Sequence, residues 1–328
     1  MTNYVYIYAG KPKRNSGGNR ALILLSEQMK EFGLEVWLIS HSNPFKFKSR
    51  DKRYLSIREA LIHKFKKVNP VVIYPESVEI NLLAAKRCAW YLMSLPGEVI
   101  QLNSNTSKWK NKPTFSYSKS IKKQWRSDGP VVHVPAIDFK ELSQIPIGAR
   151  NLNAIVYGGK YLDFYNQSIP PELAELPLYT RSTSGQPRSE FLKDLSQATV
   201  VHCFENTAVA LESLALGSMV TFHFNGFFQD LILDGEIGGV EITVNELNEK
   251  IGVVTDPSYA ILSYEKYLSS HDSRFDLVEW LYNSSDTNGR SLTKSFIRLF
   301  QLFAISRWLI HRIYFATRYL RFLKRGSF

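Results

Sequence analysis

Cysteine is nearly absent: Cys88 and Cys203 are the two in 328 residues. Neither stands in a CxxC or Cys/His spacing of the kind that holds zinc. Far apart and in apolar surroundings, they read as buried thiols of a reducing compartment, which argues against a disulfide-built secreted domain. The spaced glycines of GxGxxG and the GxxxxGK[ST] of a phosphate loop are also missing, so dinucleotide and ATP readings lack their motif. The opening MTNYVYIYAG enters a strand-like run with no basic segment before a long apolar one, and this predicts a cytoplasmic-side protein. Internal repeats and low-complexity stretches are lacking too.

What is present in excess is positive charge, unevenly placed. Residues 1–150 hold 25 Lys/Arg against 11 Asp/Glu, a net of +14. Residues 151–290 hold 8 against 19, a net of −11, and residues 291–328 hold 8 against none, a net of +8. Basic blocks point to a polyanionic partner, either nucleic acid or an anionic membrane surface. The length, with 44% hydrophobic and 13% aromatic residues, provides for a sizeable core and for two domains.

Hydrophobic patterning alternates between strand and helix. YVYIYA (4–9), EVWLIS (35–40) and VVIYP (71–75) have strand length, and ALILLSEQMKEF has helical spacing closed by Gly33. Further helices are predicted at about 54–66 and 81–94. After the Pro-containing passage HVPAIDFKELSQIP the rhythm resumes. NAIVYGG (153–159), LPLYTR (176–181), ATVVHCF (198–204) and MVTFHF read as strands, and TAVALESLALG as a helix. The expectation is an α/β chain of two successive halves, each a parallel sheet flanked by helices, with ligands in a cleft at the carboxyl ends of the strands.

The loops at those ends carry the candidate chemistry. Gly17 and Gly18 follow the first strand, where glycine lets a ligand approach the backbone and the helix start offers amide donors. Gly159 and Lys160 form a second such turn. Arg181 closes another strand, with Arg188 seven residues on, and arginine suits bidentate phosphate contact. Glu205 and Glu212 lie seven positions apart, one at the mouth of a helix and one inside it. Taken singly, each cation also fits an ordinary surface charge, and the two acids fit a helix-start charge and a solvated helix face.

In their order along the chain, SGGNRALILLSEQMKEFGLEVWLI, YPES, YGGK and YTRSTSGQPRSEFLKDLSQATVVHCFENTAVALESLALGSMV make the sequence one that resembles the GT-B-fold glycosyltransferases. The nearest likeness is to the retaining, nucleotide-sugar-dependent family 4-like enzymes of bacterial surface-polysaccharide assembly. It covers most of residues 1–230 and is most specific over 180–220. The resemblance implies two Rossmann-like domains facing a central cleft: an acceptor domain over 1–145, a donor domain over 146–290 and a basic amphipathic helical tail over 291–328. It implies transfer of a sugar from a nucleotide-sugar donor to a glycan or lipid-linked acceptor, with no cofactor and no metal.

In that family an E-x7-E pair binds the donor. Glu212 matches the second glutamate, which holds the ribose. Glu205 matches the first, which contacts the transferred sugar, but the spacing here is E-x6-E, and Asn206 or Thr207 stands ready to share the contact. Lys160 and Arg181, with Arg188 behind them, match the diphosphate cations. No DxD metal signature is evident. Should the reaction invert, the acceptor-side base candidates are Glu76, His133 and Asp138, each equally at home as a helix-cap acid, a packed histidine and a turn aspartate.

On a helical wheel the tail gathers Arg307, His311, Arg318, Arg321 and Arg325 on one face, with Phe300, Phe303, Trp308, Ile310, Phe315 and Leu320 on the remainder. Such a helix suits the headgroup layer of an anionic membrane and predicts a peripheral position on its cytoplasmic face; a helix packed on the other domain is the competing use. The basic run 45–67 would share that surface. Two other classes compete: a transferase-like scaffold without turnover, and a nucleic-acid-binding protein using the basic, aromatic stretch 105–125. The acidic middle and the lack of a nucleic-acid motif argue against the second.

Overall fold

Central strands buried on both faces explain why the first half reads as nearly continuous apolar runs. In a computed structural model, β1 (Tyr4–Ala9) sends Val5, Ile7 and Ala9 into one core and Tyr6 and Tyr8 into another. β4 (Val71–Pro75) divides in the same way, with Val71 and Ile73 opposite Val72 and Tyr74. The structure describes residues 4–9, 17–40, 54–56, 59–60, 70–78, 81–83, 85–96, 109, 111–134, 137–163, 167–180, 186–205, 208–225, 235–245, 249–270 and 274–284.

Among these, the first sheet has the order β3-β2-β1-β4-β5-β6, every pair parallel. Its other members are β2 (Glu35–Ser40), β3 (Tyr54–Ser56), β5 (Arg87–Leu92) and β6 (Thr114–Ser116). Helix α1 (Gly17–Glu31) packs Ala21, Leu22, Leu25 and Met29 on the sheet and ends at Gly33, whose φ of 75° is the left-handed conformation of a helix stop. The strand order reverses between β1 and β4. Such a switch point opens a crevice at the carboxyl ends of those two strands.

The second sheet has the order β11-β12-β10-β9-β7-β8. β7 (Leu152–Tyr157), β8 (Leu178–Tyr179), β9 (Ala198–Cys203) and β10 (Met219–His223) run parallel, and β11 (Val240–Val244) and β12 (Lys250–Val254) form an antiparallel edge. Here the order reverses between β7 and β9. The molecule is therefore mixed α/β with two parallel-rich six-stranded sheets. Both belong to one compact unit, Met1–Asp286.

Of the helices, α2 (Lys119–Trp125) is capped by Ser118 and buries Ile121 and Trp125, and α3 (Phe139–Leu142) is one turn. The second sheet carries α4 (Gly159–Asp163), α5 (Arg188–Gln197), α6 (Ala208–Ala215) and α7 (Pro257–Ser270). α8 (Arg274–Ser284) then returns Leu277 and Leu281 to the core of the first sheet, with Trp280 edge-on to Phe115.

One helix expectation is corrected and another is shortened at its start. The segment 81–94 contains β5, because Cys88, Trp90 and Leu92 enter one core while Ala89 and Tyr91 enter the other. A short apolar run of this kind has the same appearance whether it is a buried strand or a buried helix. The segment 54–66 begins with β3, which pairs with β2, then is helical at Glu59 and Ala60, and 61–66 lie outside the described residues. Trp109, Phe115 and Trp125 of the aromatic stretch 105–125 are buried in the cores, and Lys112 lies over the Trp109 ring at 4.2 Å. Those rings are not a platform for stacking bases. The tail 291–328 and most of the basic run 45–67 lie outside the described residues.

A candidate functional site between the two sheets

Helix α6 explains the placement of Glu212. Its sequence AVALESLA is apolar on nearly every side, so the helix is covered all round and its one charged residue goes in with it. The Glu212 side chain is 0% exposed. A carboxylate in that position needs cations, and two arrive from different parts of the chain. Arg20, in the first turn of α1, donates from Nη1 to Glu212 Oε1 at 2.7 Å, and Arg188, opening α5, donates from Nη2 to the same oxygen at 2.8 Å. Glu212 Oε2 is buried with no hydrogen-bond partner.

Arg188 is held on its other side by Glu141 of α3. Its Nε lies 3.0 and 2.9 Å from the two Glu141 oxygens, and its Nη2 lies 2.8 Å from Oε2. Burial works against the Arg188 charge, but the hydrogen bonds it donates to Glu141 and the nearby Glu212 carboxylate outweigh it and hold its pKa above the ordinary arginine value. The result is a four-member chain, Arg20–Glu212–Arg188–Glu141, with no net formal charge, joining the first sheet's leading helix to the second sheet's helices.

Glu205 follows β9, and Gly159 follows β7, so the switch point of the second sheet brings them together. The Glu205 carboxyl is buried against Gly159, whose φ is 46°. A Cβ on Gly159 would stand 2.8 Å from Glu205 Oε2 and nearer still to Cδ and Oε1. Glycine is therefore required there by both conformation and space. The two glycines of the first turn differ: Gly17 and Gly18 form the start of α1, an added Cβ meets nothing within 4 Å at Gly17, and at Gly18 it meets Met93 Cε at 3.7 Å.

The remaining candidates divide. Glu76, buried beyond β4, accepts from Ser94 Oγ at 2.5 Å. Asp138 is an exposed helix cap that accepts from the Glu141 amide at 3.0 Å, which is the turn role its position suggests. His133 is buried, with Nδ1 facing Glu236 at 3.6 Å and Nε2 at 2.9 Å from the Tyr264 hydroxyl. Arg181, Asn206 and Thr207 lie outside the described residues, as does the Lys160 side chain.

Sequence reasoning missed Arg20, Glu141 and Glu236. Arg20 stood two positions beyond the glycines already singled out, and a first-turn cation facing the cleft is the signal that was available. Glu236 and Tyr264 come from the second half and meet Tyr117 and His133 from the first. Burial pushes the Tyr117 hydroxyl up, Glu236 and Tyr267 add to it, and Arg20 acts in the opposite sense. At the ends of β9 and β10, His202 Nδ1 and His223 Nε2 lie 3.0 Å apart, with Phe204 stacked on His223. Burial lowers the pKa of both. His223, facing His202, is brought down to about 4.

Among the described residues, no three His, Cys, Asp or Glu side chains come together to hold a metal, and no helix is long and apolar enough to cross a membrane. What the site presents is a buried carboxylate with one open oxygen, two guanidiniums beside it, and a second carboxylate seated on a glycine turn. That set suits hydroxyl and phosphate ligands.

No protein-family model matches the chain, and no curated protein does. Several solved structures are similar. An alpha-glucosyltransferase (AGT) in complex with UDP is 13% identical, with 91% of this chain and 99% of that chain covered and a TM-score of 0.40. An alpha-glucosyltransferase in complex with UDP and a 13-mer DNA containing a HMU base is 14% identical over 88% and 97%, with a TM-score of 0.39. T4 phage BGT in complex with its UDP-glucose substrate is 13% identical over 90% and 96%, with a TM-score of 0.43.

Proposed function

We propose that the protein is a nucleotide-sugar-dependent glycosyltransferase, with its donor held in the crevice between the two sheets. One observation carries the reading: Glu212, wholly buried on an apolar helix, keeps Oε2 without a hydrogen-bond partner while two arginines flank it. A buried carboxylate oxygen left open costs about 1–3 kcal/mol unless a donor group arrives, and a ribose hydroxyl is such a group. The arginines are cations of the kind that neutralise a diphosphate. In this reading Glu205, which follows β9 and lies against Gly159, is the residue that meets the sugar. Lys160 and Arg181 are further diphosphate cations in this reading.

Transfer breaks the bond between the sugar's anomeric carbon and the phosphate oxygen, and forms one to an acceptor hydroxyl. The departing diphosphate gains charge, which fixed cations stabilise in place of a metal ion. In the retaining course we favour, the acceptor proton passes to the leaving phosphate oxygen and no side-chain nucleophile is needed. The acceptor in this proposal is a glycan or lipid-linked saccharide. The acid-free, aromatic tail 291–328 supports a position at an anionic membrane surface on the cytoplasmic face.

The test is a thermal-shift screen against UDP-, GDP-, dTDP- and ADP-sugars, run on the native protein and on Glu212→Gln. A donor at a hundredfold excess over its dissociation constant stabilises by about 2.7 kcal/mol. One nucleotide class is expected to stabilise the native protein and to lose that effect in the variant. A folded native protein that responds to no donor would refute the transferase reading.

A further inference from the structure

The residue on which the donor site depends is also its least accessible one. Arg20 and Arg188, the two cations paired with Glu212, are themselves 23% and 19% exposed. Their situations differ. Arg188 is shared with Glu141 and stays anchored if Glu212 is engaged elsewhere. Arg20 pairs with Glu212 alone among the described residues, and it does so across 192 residues of sequence, from the helix of one sheet to the helix of the other.

Three features of Arg20's surroundings bear on what else it can hold. It lies in the first turn of a 15-residue helix, where backbone amides lack intrahelical acceptors. The helix start at Gly17 is open toward the described residues, none of which has an atom within 4 Å of where a Cβ would lie. The first-sheet switch point aims its crevice there. A guanidinium fork pairs with phosphate and carboxylate by the same geometry, so it exchanges one for the other without losing its charge compensation.

Building on the donor site argued above, we propose that Arg20 is a ligand of the donor's diphosphate, and that its bridge to Glu212 is the empty-site arrangement. On donor entry the guanidinium passes from Glu212 Oε1 to the phosphoryl oxygens beside the α1 amides. Glu212 keeps Arg188, and two hydroxyl donors of the ribose replace the lost cation. The exchange explains why the carboxylate is sealed before ligand arrives, and it couples diphosphate recognition by the first half to ribose recognition by the second. A nucleoside without phosphates meets a different situation: it must displace Arg20 and offers it no anion in return.

That contrast is the test. The nucleoside diphosphate whose sugars respond in the screen, and the matching unphosphorylated nucleoside, are titrated calorimetrically into the full-length native protein, Arg20→Gln and Arg20→Lys. Arg20→Gln is expected to weaken the diphosphate roughly tenfold or more, the scale of one lost charge-assisted hydrogen bond. The same variant is expected to bind the nucleoside several times more tightly, because Glu212 is uncovered. Arg20→Lys, which keeps the charge and loses the fork, should fall between native and Gln for the diphosphate, and it serves as the readout if the Gln variant melts. Equal changes in the two ligands, or no change in either, would show Arg20 to be a strut between the halves and overturn the proposal. Absence of any nucleoside diphosphate binding by the native protein would instead remove the donor site itself.

Discussion

Replacing Gly159 with alanine tests the geometry of the second-sheet switch point. At φ 46° an L-residue costs about 1–2 kcal/mol relative to glycine. The new methyl would also lie 2.8 Å from Glu205 Oε2 and closer to the rest of the carboxyl, which is buried. Moving a buried carboxylate off its contacts adds about 1–3 kcal/mol. The expected loss is about 3 kcal/mol, a fall in Tm of about 6 °C at roughly 2 °C per kcal/mol for a chain of this size. The assay is urea denaturation of Gly159→Ala, Glu205→Ala and the double variant. Truncating Glu205 removes the clash and leaves the backbone term, so the two changes should couple by about 1–2 kcal/mol in the favourable direction. Gly148→Ala is the control, because among the described residues its methyl would meet nothing within 4 Å and its backbone is not left-handed. Additive effects at Gly159 and Glu205 would refute the account.

Other consequences are open to direct measurement. A cycle of Arg20→Gln and Glu212→Gln should give a coupling of about 1–3 kcal/mol in native stability, since the pair bridges the sheets with a fully buried carboxylate; a coupling near zero would deny the bridge any energetic role. His223, lowered to about 4, binds its proton more weakly in the folded state than in the unfolded one, where its pKa is about 6.5. The unfolded state therefore holds the extra proton between those values, and stability falls as pH drops from about 6.5 to 4, by about 2–3 kcal/mol. His223→Phe should flatten that part of the pH profile, and an unchanged slope would contradict the assignment. Arg188→Lys cannot reproduce the fork onto Glu141, so a loss of about 1–2 kcal/mol is expected by thermal melting.

The fold was legible where periodicity and punctuation agreed. β1, β2, β4, β7, β9 and α1 stand within a residue or a few of where the pattern put them, because each couples an apolar run to a glycine or polar turn. β5 was misread because RCAWYL serves two cores at once, and a strand buried on both faces carries no alternation to see. β11 and β12 escaped for a related reason: an edge hairpin such as VEITV, largely exposed, carries little burial pattern to read.

The site was legible in its acids and not in their partners. Glu212 was singled out by its match to the second glutamate of the family pair, against a plain reading as a solvated helix face that its full burial overturns, and Gly159 as a glycine after a strand. Arg20 and Glu141 are ordinary surface residues in any local window, and only the crossing of two sheets makes them neighbours of Glu212. The six-residue spacer has a physical consequence of the same kind. Glu205 is not on the helix with Glu212 at all; it follows β9, and its carboxyl lies against Gly159 at the start of α4. The seat of the Glu205 carboxyl therefore depends on the pairing of β7 with β9 as well as on the spacer. For that reason the change expected to uncouple Glu205 from the site is Gly159→Ala, fifty-three positions before Glu212, and restoring a seventh residue to the spacer is expected to disturb the start of α6 instead.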